Sequence, residues 1–447
     1  MNFIALLVAV LLLPDPSGEG RGQETAAAVS EEIRRIPPGS LWPGFDPANV
    51  PLAFFDGERT YLFRHPSPPP EFEPLPGRPA VRVFSGQHAL VRANTSVVIG
   101  GAPVATQLSS RGDVRDVREL ASVAVHEIFH VFQSTRHPKW GGNEVDLFTY
   151  PIDDAAQLQL SRLETEALRR ALAAQRDDES ACWASVALEL RTRRFALLGD
   201  AGSAYERGTE LREGLAQLVE SRARGATTPT SILPRDGFPA GEVRTRSYAI
   251  GQAFGTLLDR FSRGWERLLE TGDRPLDDLL VASLRPRPRR RCRFSRSEID
   301  ESLARARRSI ELAELTRQAV RKDFLERGGW KVVVAAGSPP LSVERFDPLN
   351  VERLGRGEIL HTRWVKLAAP SGSIEVLDRR ALTESAGAHP LFEGVRRLTV
   401  TGLPEEPRVS NSDGSVSIRG PGLTADFRAA ALRRDDQTLF VTLEEAR

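Results

Sequence analysis

Sulfur and amines are scarce in this sequence. Its 447 residues include two cysteines and one methionine, Met1, and only Lys139, Lys322, Lys331 and Lys366 of the 61 basic residues are lysines. Cys182 and Cys292 do not make a cysteine zinc site, which uses closely spaced pairs. A disulfide between them stays open, because separation along a chain says nothing about geometry. The formal net charge of +1 leaves no excess of one sign to draw a nucleic acid or an acidic partner. The basic tract at 285–293 (RPRPRRRCR) is broken by prolines and has no interleaved aromatics, so it reads as a solvated loop rather than a nucleic-acid surface.

With 40% hydrophobic and 27% charged residues, the chain has a globular composition. Its length calls for two or three domains. Phe3–Leu13 is an unbroken apolar run, too short to span a bilayer as a helix, followed by Pro14, Asp15, Pro16 and small residues. We read 1–20 as a signal peptide, although its start carries no Lys or Arg. The expected location is therefore secreted or periplasmic, with no stable membrane insertion after signal removal.

From 21 to 112 short apolar runs alternate with Pro and Gly. Leu52–Phe55 and Thr60–Phe63 flank Asp56-Gly57 as a hairpin, and Ser96–Ile99 and Val104–Thr106 flank Gly100-Gly101 as another. The stretch 67–79 reads as a proline-rich loop. From 113 to 328 the apolar period becomes helical, with helices expected over 114–133, 155–174, 181–198, 204–224, 245–271 and 297–325. From 329 to 447 alternation returns, in a small β-rich domain. The fold class expected is α+β: a β-rich N-terminal segment, a helical domain and a small β-rich C-terminal domain.

The helical region holds the chemistry. His126 and His130 stand four residues apart, so both imidazoles leave one face of a helix, one turn apart. That spacing lets both bind one Zn²⁺, while Glu127, about 100° round the helix, is placed to accept a proton from water rather than to ligate. Ala121, Val123, Ala124, Val125, Ile128, Phe129, Val131 and Phe132 make this helix apolar almost all round, so it should be buried. Unpaired imidazoles and a carboxylate there would each cost a few kcal/mol, which a metal offsets.

The run Val123–Phe132 resembles the extended zincin pattern. It is unlike the metzincins, which require Gly at 133, His at 136 and a downstream methionine turn; here Gln133 and Arg136 stand there and Met1 is the only methionine. His137, one position off and before Pro138, reads as a loop histidine. A third ligand from a later helix is what the gluzincins use, a group that includes the thermolysin-like and aminopeptidase-N-like enzymes. Glu213-Gly214-Leu215-Ala216-Gln217 resembles their E-G-x-A segment, with a longer interval from the histidines and Leu218 where a tyrosine is common. This implies metal ligands His126, His130 and Glu213, with Glu164 and Glu144 as rivals for the third place.

Gly214 and Ala216 are expected to let the Glu213 helix approach the histidine helix, and Gln217 to accept the second N–H of a ligating imidazole. Tyr248 is a candidate for steadying an oxyanion, with a core aromatic as its other reading. Val104–Leu108 is the candidate strand edge for holding a peptide. The resemblance implies a Zn²⁺ peptidase with Glu127 as general base and a peptide or protein substrate. Two alternatives stay open: a non-catalytic binding or assembly protein on a zincin scaffold, and a zinc hydrolase with a non-peptide substrate. The standard aminopeptidase-N exopeptidase motif contains methionine and is absent from the mature chain.

Overall fold

A computed structural model of the chain describes residues 17–110, 116–225, 233–284 and 292–443, with side chains from residue 22 onward. Most of the signal-peptide reading, 1–16, and most of the basic tract, 285–291, lie outside the described residues.

The chain is α+β. It opens with a helix, α1 (Ser17–Arg34), inside the stretch expected to be β-rich. Ala26, Val29 and Ile33 recur at helical spacing and are fully buried, and this amphipathic stripe is what the turn-rich flanking text obscures. Six strands follow: β1 (Leu52–Phe55), β2 (Arg59–Phe63), β3 (Glu73–Leu75), β4 (Arg78–Ser85), β5 (Thr95–Ile99) and β6 (Ala102–Leu108). They form one sheet in the order β3-β4-β2-β1-β6-β5, parallel only between β1 and β6. Both expected hairpins are present. The proline-rich loop instead contains β3, whose Pro74 sits on an edge strand where a missing N–H is tolerated.

Strand alternation divides the sheet's two faces. Leu52, Phe54, Tyr61 and Phe63 pack against α1 and the helices, while Ala53, Leu62, Ile99 and Val104 join Phe72 and Val91 on the other side. The N-terminal sheet and the helical region thus share one core. The boundary near 112 separates types of secondary structure rather than independent cores.

The helical part comprises α2 (Val117–Arg136), α3 (Ala155–Ala173), α4 (Asp177–Thr209), α5 (Leu215–Arg224), α6 (Val243–Phe261), α7 (Trp265–Thr271), α8 (Leu276–Leu284) and α9 (Arg296–Leu325). The helices expected at 181–198 and 204–224 are nearly continuous. Gly199 bends α4 at φ 72°, and a π turn, Glu210–Gly214, joins α4 to α5. The stretch 245–271 breaks at Ser262–Gly264, where Gly264 adopts φ 74°. Cys182 of α4 and Cys292 ahead of α9 form a disulfide, with Cα atoms 5.8 Å apart across 110 residues of sequence.

A network of buried charges ties five of these elements together. Arg194 donates to Glu164 at 2.7 Å and to Glu206 at 2.5 and 2.6 Å. Arg191 reaches Glu164, Glu210 and Asp277 at 3.1, 2.6 and 3.1 Å. Arg246 of α6 pairs with Glu164 and Glu206 at 2.8 and 3.0 Å. Burial lifts the Glu210 carboxyl to about 8, even beside Arg191. Arg207 donates to Asp277 at 2.8 Å, so every buried charge of the network has an opposite charge beside it where water cannot help.

The C-terminal part contains β7 (Trp330–Ala335), β8 (Ser342–Phe346), β9 (Val351–Arg353), β10 (Glu358–His361), β11 (Trp364–Ala369), β12 (Gly372–Leu377) and β13 (Ala381–Ser385). It continues with β14 (Val395–Leu403), β15 (Arg408–Ser412), β16 (Ser415–Gly420), β17 (Leu423–Phe427), β18 (Ala430–Asp435) and β19 (Thr438–Leu443). They form two sheets, β18-β19-β7-β14-β13-β10-β9 and β15-β16-β17-β12-β11-β8. Val332, Val334, Val400 and Val441 of one sheet and Leu367, Ile374, Val376 and Ile418 of the other share a sandwich core. Phe324 at the end of α9 is buried against Leu354, Leu360 and Leu382, and Arg353 donates to the Phe148 and Tyr150 carbonyls at 3.1 and 2.9 Å.

Arg194→Met should destabilise the protein by about 3–5 kcal/mol in chemical denaturation, because it leaves the buried network one positive charge short beside Glu164 and Glu206. A loss within error of zero would contradict a buried, fully engaged network.

Candidate functional site

Helix α2 begins at Asp116, whose carboxylate caps the Glu119 N–H at 2.7 Å. Its apolar stripe, including Leu120, Ala124, Val125, Ile128 and Phe129, is buried beneath the N-terminal sheet and the other helices. His126 and His130 emerge one turn apart, their rings edge-on at 4.8 Å between centroids.

Three atoms converge there. His126 Nε2 and His130 Nε2 lie 3.1 Å apart, and Glu213 Oε2 is 3.1 Å from His130 Nε2 and 3.7 Å from His126 Nε2. A tetrahedral ion about 2.0–2.1 Å from each donor would hold them about 3.3 Å apart, which is the mean of these edges. Among the described residues no fourth His, Cys, Asp or Glu donor joins the three.

The outer nitrogens fix which atoms face the centre. His130 Nδ1 is 2.9 Å from Gln133 Oε1, and the Gln133 amide N–H groups donate to the Leu211 and Arg212 carbonyls at 3.0 and 2.9 Å. With its nitrogen committed as a donor, Gln133 must accept from His130 Nδ1, which leaves the Nε2 lone pair facing inward. His126 Nδ1 lies 3.2 Å from Glu220 Oε2, an ion-pair contact whose alignment is poor for a hydrogen bond; Glu220 is itself held by Arg224 at 2.8 Å. Two inward lone pairs and a carboxylate oxygen repel one another unless a proton or a cation lies between them. The His–His–Glu set suits Zn²⁺.

Electrostatics report the same concentration of charge. Burial opposes a charged imidazole at His126, but the Glu213 and Glu220 carboxylates beside it outweigh burial and raise it to about 9. Burial also pushes the Glu213 carboxyl upward, yet the two imidazoles beside it hold it well below the usual carboxylate range. Glu127 shifts the other way: burial, reinforced by Glu213 and Glu220, raises it against the pull of the two histidines. Tyr248 is raised by burial and by the nearby Glu213 carboxylate.

The π turn explains how Glu213 gets there. It places Glu213 beside the Leu211 and Arg212 carbonyls, to which the Gln133 amide from α2 donates. Gly214 faces α6 rather than α2: a Cβ on it would come within 2.5 Å of Gly251 Cα, and one on Gly251 within 2.6 Å of the Glu210 carbonyl. The small residue is needed, but for a different neighbour.

Other expectations need correcting. Gln133 and Glu220 occupy the outer positions assigned to Gln217. Glu220 lies seven residues after Glu213, two turns on along the same face, and that spacing was its only signal in the sequence. Glu164 is wholly buried in the arginine network, and Glu144 pairs with Arg244, so neither joins the histidines. Strand β6, containing Val104–Leu108, is paired on both sides by β1 and β5 and has no free edge. The edge strand next to β6 is β5. His137 lies in the loop just past α2, as expected, but is buried there, stacked on Trp140 with ring centroids 3.8 Å apart and 3.1 Å from Glu270.

Compared with protein-family models, curated proteins and solved structures, the chain matches none.

Titration with Zn²⁺ should show one tight site per chain, lost in Glu213→Ala and retained in Glu144→Ala. Gln133→Ala and Glu220→Ala should each weaken it about 10- to 100-fold, as loss of a ligand-orienting partner does. Unchanged affinity in both would remove them from the site.

Proposed function

We propose that this chain is a zinc-dependent peptidase of the gluzincin type. The observation that carries the reading is the convergence of His126 Nε2, His130 Nε2 and Glu213 Oε2 at the spacing of a tetrahedral ion, with outer partners aiming the lone pairs inward. Zn²⁺ held by these three would act as a Lewis acid, making water acidic near neutral pH and polarising a carbonyl oxygen.

The chain's own groups would do the rest. The Glu127 carboxylate would take the proton from the attacking water and deliver it to the leaving amine. Its raised pKa, set first by burial, suits a base that must give the proton back. The Tyr248 hydroxyl, beside Glu213, would donate to the oxyanion of the tetrahedral intermediate. The outer edge of β5, which no described strand covers, offers backbone groups to an extended peptide.

A binding or assembly role would favour a closed site with four protein ligands. The absence of a fourth donor among the described residues supports the catalytic reading instead. The Cys182–Cys292 disulfide supports an exported protein, since such bonds persist in oxidising compartments. No described helix is long and apolar enough to cross a membrane.

Glu127→Gln should bind zinc like the wild type and lose at least about a hundredfold of peptide hydrolysis, the scale of a general base. Tyr248→Phe should lower kcat while leaving zinc content unchanged. Wild-type protein that carries zinc yet cleaves no peptide in a sequence-diverse library would overturn the peptidase reading; cleavage of esters or other amides there would favour the non-peptide hydrolase.

A further inference from the structure

Five arginines line a cavity of about 320 Å³ between the outer face of α3, the start of α9 and the loop at 235–236. None of the residues of the His–Glu site contributes to it. Leu163 and the ring of Phe294 give it an apolar wall.

The charges do not cancel. Glu166 is shared between Arg169 and Arg170 at 2.7 Å each, and Arg170 also reaches Glu298. Asp236 pairs with Arg305 at 3.1 Å. Three lining carboxylates therefore serve three of the five guanidiniums. Arg162 and Arg235 form no ion pair among the described residues. The Nη1 of Arg162 donates to the Asp236 backbone carbonyl, while its Nε is buried and has no hydrogen-bond partner. A buried donor left in that state is costly unless something accepts from it.

The walls are fixed in advance. Gly237, at φ 69°, lies so close over Arg162 that a Cβ there would be 2.8 Å from the arginine Cγ. The Cys182–Cys292 disulfide anchors the two chain segments just ahead of Trp183 and Phe294, whose rings are 5.3 Å apart. Arg170 lies over both, 4.6 and 4.8 Å from their centroids.

We propose that this cavity binds a small ligand carrying a tetrahedral dianionic oxyanion, a phosphate or sulfate group, held by Arg162 and Arg235. A guanidinium fork matches such an oxyanion with two parallel hydrogen bonds, and the charge of the anion offsets the two unmatched cations. Arg162 already registers the imbalance: burial and then repulsion from Arg305 lower its pKa. The volume lies within the range of small-molecule sites, and the Phe294 and Leu163 wall leaves room for the apolar part of an ester.

The test is isothermal titration of the full-length protein with inorganic phosphate, sulfate, acetate and chloride at matched ionic strength. Phosphate and sulfate should bind saturably, and acetate and chloride should not. Arg235→Ala, on an exposed side chain whose loss leaves the fold intact, should weaken phosphate about tenfold, as should Arg162→Lys, which keeps the charge but loses the fork. Arg433→Ala, in the sandwich, should bind like the wild type. Equal heats for all four anions would overturn the proposal. So would acetate binding as tightly as phosphate, or wild-type phosphate affinity in both Arg235→Ala and Arg162→Lys.

Discussion

The side-chain amide of Gln133 holds the candidate centre together. Its nitrogen is committed to two carbonyls of the π turn, and its oxygen is thereby left to receive the His130 N–H. One residue thus joins the helix that carries both histidines to the turn that carries Glu213, and sets the tautomer of His130 as it does so. The Arg212 carbonyl accepts from the Leu215 N–H within the chain's own backbone and from Gln133 as well, using both of its lone pairs.

The turn is held from its other side as well. Gly214 and Gly251 bring α6 into backbone contact with it, and Glu210, three residues before Glu213, is anchored by Arg191 within the buried charge network. Such a network adds little net stability, because removing each charge from water costs about as much as the pairing returns. It is unforgiving of misplacement, however, since any member that moves leaves a buried charge alone. That suits a scaffold that must keep a carboxylate in place between two imidazoles. The arginine cavity shows the opposite arrangement, with two guanidiniums left unmatched beside a space large enough for a ligand.

Much of this could be read along the chain, for identifiable reasons. Both N-terminal hairpins carried turn pairs between alternating apolar residues, and α2, α3 and α9 had long, proline-free periodic stretches. Glu213 was legible from its company, although Gly214 faces Gly251 and not the histidines. The π turn was not legible, because one extra residue in a helical turn changes neither composition nor period enough to notice. Glu220 and Gln133 were missed for a related reason: the face a side chain presents depends on that turn. Helix α1 was hidden by its glycines and the turn-rich text after it. The interior position of β6 followed from the parallel β1–β6 pairing, a long-range contact that no local pattern encodes.

The most direct test is a crystal structure of the protein grown with Zn²⁺, with diffraction recorded on both sides of the zinc absorption edge. The account predicts one anomalous peak about 2.0–2.1 Å from His126 Nε2, His130 Nε2 and a Glu213 oxygen, with Gln133 still bridging His130 and the π turn and no fourth protein ligand. A peak elsewhere, or Glu213 turned away from the histidines while the metal is bound, would contradict it.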